Sequence, residues 1–211
     1  MNEISLLFSG RGSNVYSILE LVINNKLNFK IKNVISNNKN AIGIEKIEKL
    51  NINVKIIDKK SYDNNEKYNS ALIDSLNPEK NDLLLLCGYM SKIPIHIINS
   101  YNGNIINIHP SLLPKYKGLD THSKVISNKD SQHGCTTHYV NENIDCGPLI
   151  AQHTIPVEDN DNPKSIAKKL LVVEHTLFYK TLKMIEENDI KIENNKVYFK
   201  GNILKKPIIF S

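Results

Sequence analysis

The chain has 211 residues, 40% of them apolar and 23% charged, with a formal net charge of +5. That length and balance suit a globular protein that buries its own core without disulfides or a structural metal, and lysines scattered without interleaved aromatics argue against a nucleic-acid binder. Cys87, Cys135 and Cys146 are far apart with no Cys-x-x-Cys pair, which excludes a disulfide framework and the common zinc patterns.

Ile4–Ser9 is a short apolar run without alternation, the pattern of a strand buried on both faces. Gly10-Arg11-Gly12-Ser13-Asn14 breaks it, and Val15–Ile23 follows with Val15, Ile18, Leu19 and Val22 on one helical face. Phe29–Ser36 and Val54–Ile57 read as further strands, and Ile42–Leu50 and Glu66–Leu76 as helices. Leu83–Cys87 is the most apolar strand and so the expected centre of the sheet, and Ile105–His109 is another, stopped by Pro110. This alternation predicts a single α/β domain, a doubly wound and mostly parallel Rossmann-like sheet with helices on both faces. Beyond it, Ser111–Thr121 reads as a loop. Thr136–Val140 and Leu149–Thr154 read as an antiparallel hairpin at the sheet edge, turning near Asp145–Pro148. Asn162-Pro163 opens a long helix to about Glu187, with Asn162 as N-cap. Val197–Phe199 is a short strand and the last residues read as a tail.

Two segments carry chemistry. The Gly10–Asn14 turn lacks the third glycine of a dinucleotide fingerprint and the lysine of a P-loop. It suits either a plain strand-to-helix connection or a cradle for a single phosphate at a helix N-terminus. Asn107 and His109 lie two apart on a strand, so they share a face, and they sit at its C-terminal end, where open α/β sheets bind ligands. Alone, such a pair is satisfied as easily by loop backbone as by a substrate. Asp145, at the hairpin turn, adds a carboxylate that would orient an imidazole and raise its pKa. The three suit attack of an amine on a carbonyl carbon: Asn107 and His109 would hold the oxyanion, and His109 and Asp145 would manage protons. The absence of a Ser or Cys nucleophile elbow favours direct transfer.

Asn107-Ile108-His109-Pro110-Ser111-Leu112-Leu113-Pro114 with Lys115-Tyr116-Lys117-Gly118 resembles the core of the folate-dependent formyltransferases, and Phe8–Asn14 and Val173-Glu174-His175 resemble the ribonucleotide-using branch of that family. The resemblance implies formyl transfer from 10-formyltetrahydrofolate to the amine of glycinamide ribonucleotide in purine biosynthesis, without a metal. It implies Asn107, His109 and Asp145 as the catalytic trio. It implies Gly12, Ser13, Asn14 and Glu174 as ribonucleotide contacts, and Asn65, Met90, Ser91, Lys92, Ile93, Asn141, Glu142, Asn143 and Ile144 as folate-lining residues. It departs from the family pattern where Ser91 and Lys92 replace an Arg and an aliphatic residue, where Asn65 replaces an Arg, and at Asp120 and Leu171. It divides the domain into a phosphate-binding half to about residue 100, a folate and catalytic half over about 101–190, and the tail.

His96, His122, His133 and His175 read as structural or surface residues, without metal-ligand spacing, while the resemblance puts Thr137-His138 near the same site, with a structural histidine on an edge strand at least as good a reading. A tRNA formyltransferase or a formyltetrahydrofolate hydrolase would need an extra domain, for which 211 residues leave no room. Outside the class, the rival is a non-catalytic nucleotide-binding module. With no targeting segment or membrane span in the sequence, a cytoplasmic monomer or homodimer acting on small molecules is expected, with no nucleic-acid or membrane partner.

Overall fold

The computed structural model describes residues 3–211, which cluster into two compact units divided between Ile106 and Asn107. The first contains β1 (Glu3–Phe8), α1 (Ser13–Ile23), β2 (Lys30–Ser36), α2 (Gly43–Glu48), β3 (Lys55–Ile56), α3 (Asn65–Leu76), β4 (Leu83–Leu86) and α4 (Ile95–Ser100). Its strands are parallel: β1 pairs with β2 and β4, and β2 with β3. Ile4, Leu6, Leu7 and Phe8 of β1 and all four leucines of β4 are buried, as unbroken apolar runs require in a sheet covered on both faces. Asn64 caps α3 by accepting the Lys67 N–H at 2.9 Å, and Tyr68, Leu72 and Leu76 form its buried stripe. The sequence reading did not mark α4; its six residues are too few to show a period, and burial of Ile97 and Ile98 fixes it in place.

β5 (Ile105–His109) runs from the first unit into the second, which continues with α5 (Thr121–Ser127), β6 (Gln132–Tyr139), β7 (Leu149–Pro156), α6 (Pro163–Glu186), β8 (Ile190–Glu193), β9 (Lys196–Phe199), β10 (Asn202–Ile203) and β11 (Ile208–Phe210). β6 and β7 form the expected antiparallel hairpin. It is not an edge, because β11 adds to β7 in parallel. The supposed tail is therefore structured: β8, β9 and β10 form a small sheet of their own before β11. Asn162 caps α6 in a reciprocal capping box with Ser165, and Pro163 takes the first turn. The helix lays Ile166, Leu170, Leu177, Phe178 and Leu182 inward, and its Thr181 hydroxyl meets that of Thr137 on β6 at 2.8 Å.

Candidate active site

β5 delivers Asn107 half-buried and His109 buried at its C-terminal end. The hairpin turn brings Asp145 back to them. That turn depends on Gly147: a Cβ there would sit 1.8 Å from the Tyr139 carbonyl oxygen, so only glycine lets the turn close against the end of β6. Asp145 itself has a left-handed backbone, φ 50°, a conformation that functional turns often hold.

Asp145 Oδ2 lies 3.3 Å from His109 Nδ1 and accepts the Gly118 N–H at 2.8 Å. Its Oδ1 lies 3.4 Å from Asn107 Nδ2 and 3.6 Å from His138 Nε2. His109 Nε2 is 2.8 Å from the Tyr116 carbonyl. A carbonyl only accepts, so Nε2 carries a proton. By the same logic His138 Nδ1 donates to the Tyr139 carbonyl at 2.8 Å, and its Nε2 lies 3.1 Å from Asn107 Nδ2. Asn107 therefore directs its amide hydrogens at His138 and Asp145.

Burial pushes the His109 pKa below its ordinary value, although the Tyr116 carbonyl and Asp145 oppose the shift. Burial alone would raise Asp145, but His138, the Gly118 N–H and His109 outweigh it and hold the carboxylate below its ordinary range. Burial thus disfavours the charged form of the ring while the carboxylate facing Nδ1 favours it. His138, which the sequence leaves open between a place near the site and a structural role on its strand, belongs to this cluster through its contacts with both Asn107 and Asp145.

The loop between β5 and α5 is held in the same unit. Thr136 donates to the Ser111 carbonyl at 2.6 Å and accepts the Leu113 N–H at 3.1 Å; Gln152 donates to the Leu113 carbonyl at 2.7 Å. Tyr116, Gly118 and Asp120 all have positive φ, and this path aims the Tyr116 carbonyl at His109 and the Gly118 N–H at Asp145. Beside it, His122 Nδ1 and His133 Nε2 are 3.0 Å apart.

Of the remaining expected residues in this unit, Glu142, Asn143 and Ile144 are exposed in the β6–β7 turn, and Asn141 and Glu174 are half-buried. Glu174 adds to the burial that drives the Cys135 thiol upward. Among the described residues no group of three His, Cys, Asp or Glu could hold a metal ion, and no helix is long and apolar enough to cross a membrane.

In the first unit, Gly12 caps α1 with φ 63°. A Cβ there would meet Ile47 Cδ1 at 3.1 Å and the Gly43 Cα at 3.2 Å. The glycine thus makes room for α2 rather than for a ligand, a correction to the steric role expected of it. Ser13 is half-buried and Asn14 buried in the first turn of α1, which contains no acidic side chain and so keeps its positive dipole end. In the segment after β4, Met90 and Lys92 are exposed, Ser91 is half-buried, and Ile93 is buried in the core. The Ile93 side chain is therefore part of the core. Asn65 is exposed at the start of α3.

Residues 2–182 match the formyl transferase family. The phosphoribosylglycinamide formyltransferase of Haemophilus influenzae is 32% identical over 98% of this chain and 97% of its own length, and that of Escherichia coli 31% identical over 96% and 95%. The structure of the phosphoribosylglycinamide formyltransferase of Coxiella burnetii superposes with a TM-score of 0.90 at 32% identity, covering 100% of this chain and 99% of that one. With its α/β Rossmann-like architecture and its family match over nearly the whole sequence, the chain belongs to the formyl transferase family.

Proposed function

We propose that this chain transfers a formyl group from 10-formyltetrahydrofolate to the amine of glycinamide ribonucleotide, a step of purine biosynthesis. The observation that carries the reading is the cluster of Asn107, His109, Asp145 and His138 at the end of β5, in a chain aligned end to end with relatives named for that reaction.

The neutral amine attacks the formyl carbon, forming a C–N bond and moving the carbonyl electrons onto oxygen. Asn107 and His109 stabilise that oxyanion once each exchanges one of its present hydrogen bonds for the substrate oxygen. As the amine nitrogen turns positive, its proton passes to the neutral form of His109, and Asp145 balances the imidazolium. The tetrahedral carbon then collapses, breaking its bond to folate N10, which takes up the proton. No atom of the protein is acylated. The first turn of α1, with Gly12, Ser13 and Asn14, serves the phosphate through its dipole and main-chain N–H groups, and Glu174 serves the same ribonucleotide. Met90–Ile93, Asn141–Ile144 and Asn65 serve the folate.

Incubating the chain with both substrates tests the proposal: formylated ribonucleotide and tetrahydrofolate should appear in equal amounts, and no formylated product at any reasonable enzyme level would refute it.

A further inference from the structure

Past β4 the chain bends at Cys87 and Gly88, where Gly88 has φ 71°, and exposure then alternates along it. Tyr89, Ser91 and Ile93 turn inward, while Met90 and Lys92 are exposed. Two of the inward residues are held by different parts of the first unit. The Tyr89 hydroxyl lies 2.5 Å from that of Tyr68 on α3. Asn37, just past β2, donates Nδ2–H to Ser91 Oγ at 3.0 Å. The Tyr89 phenol also interacts with Ser91 and Asn37, so three hydroxyls and an amide form one network. Ser9, just past β1, pins the main chain: its N–H donates to the Gly88 carbonyl at 3.2 Å and its Oγ accepts the Met90 N–H at 2.8 Å.

Tyr68 is 2% and Asn37 8% exposed. Burial raises the pKa of both phenols above the ordinary value, so they act as neutral hydrogen-bonding groups. Desolvating four polar side chains is costly where the adjoining strands are packed with leucine and isoleucine. Such a network specifies one arrangement rather than a family of similar ones. What it specifies is the path of Gly88–Lys92, with two side chains and the main chain facing outward.

We propose that Asn37, Tyr68, Tyr89 and Ser91 are positioning residues that preset this segment for the folate co-substrate. This rests on the reading above that Met90–Ile93 meet the folate.

The test is a split of kinetic constants. Tyr68→Phe keeps the ring and leaves the Tyr89 hydroxyl without its phenol partner; it should raise KM for 10-formyltetrahydrofolate about tenfold, while kcat at saturation and the ribonucleotide KM stay within about twofold. Adding Tyr89→Phe takes a second hydroxyl out of the same network and should raise the folate KM at least as far as Tyr68→Phe alone. Ser91→Ala, on the segment itself and remote from the core, should raise the folate KM in the same direction. Dissociation constants for tetrahydrofolate, measured by calorimetry, should follow the same order. An unchanged folate KM in Tyr68→Phe and Ser91→Ala, beside an active wild type, overturns the positioning role and leaves the proposed function standing. Parallel rises in both KM values overturn it as well, since they indicate general loosening. A wild-type chain that neither binds tetrahydrofolate nor forms product overturns both.

Discussion

The turn after β1 and the segment after β5 both leave the C-terminal end of a buried strand, yet they are made of different materials. The first is backbone: a glycine with φ 63°, a helix N-terminus, and a missing side chain whose space is filled by α2. The second is side chains: two imidazoles and an amide, each within 3.6 Å of one carboxylate, with the imidazoles and the carboxylate each aimed by a further hydrogen bond to the main chain. A backbone site has no charge to titrate and fails when its path is displaced. A side-chain site fails when one group is changed in charge or loses the partner that aims it. The two regions should therefore respond to different perturbations.

The largest effect is expected in the side-chain region. Asp145→Asn keeps the shape but removes the counter-ion of the imidazolium. It should lower kcat by about 10³-fold with the ribonucleotide dissociation constant unchanged, as read by single-turnover kinetics beside equilibrium binding. An unchanged turnover would remove Asp145 from the mechanism.

Thr136→Val comes next, because it strips the Ser111 carbonyl and the Leu113 N–H of a buried partner. A loss of about 2–3 kcal/mol in urea unfolding is expected, with kcat reduced more than the ribonucleotide KM, since the loop it secures aims groups at His109 and Asp145.

Gly12→Val strikes the backbone region. Its β-branched side chain meets both the positive φ and the Gly43 Cα. Stability should fall by about 1–3 kcal/mol, and the ribonucleotide KM should rise about tenfold as the first turn of α1 shifts. The pH profile of kcat should keep its shape, the contrast with Asp145→Asn. Normal affinity for the phosphorylated substrate would refute the phosphate's placement at this turn.

The smallest effect is in pH and stability. Burial, with His122 beside it, depresses His133 to about 4. Its neutral form is the one the fold retains, so the stabilisation is complete above the unfolded value near 6.5 and is lost as pH falls toward 4. His109 is shifted the same way, and Asp145, held low, loses its contribution only in more acidic solution. Denaturant melts should show stability falling by up to about 1.4 kcal/mol per pH unit for each such histidine below pH 6.5. His133→Asn should flatten that slope, and no change in slope would contradict the burial argument.

The long, strongly patterned elements could be read in advance: β1, β4, β5 and α6 carry buried runs or caps that admit one reading. α4 and α5 have six and seven residues, too short for periodicity to speak, and β11 exists because β7 offers it an open side. In the site, the two-residue spacing of Asn107 and His109 announces a shared face. Asp145 comes to them through a hairpin closure that no local pattern encodes, and its role was readable only by resemblance. His138 belongs to the cluster through its register opposite Leu149 on β7, a tertiary fact. At Gly12 the turn is legible in the sequence, but not that the missing side chain makes room for α2, which is a tertiary fact.

The claim at the centre is direct formyl transfer to a ribonucleotide amine, managed by side chains of the second unit. It is tested most directly by following isotope-labelled formyl from 10-formyltetrahydrofolate in wild type and in Asp145→Asn with the ribonucleotide present. The label should pass to the ribonucleotide in wild type, with none on the protein after denaturation, and about 10³-fold more slowly in the variant. Label released as formate, retained on the protein, or transferred equally fast by both chains would contradict it.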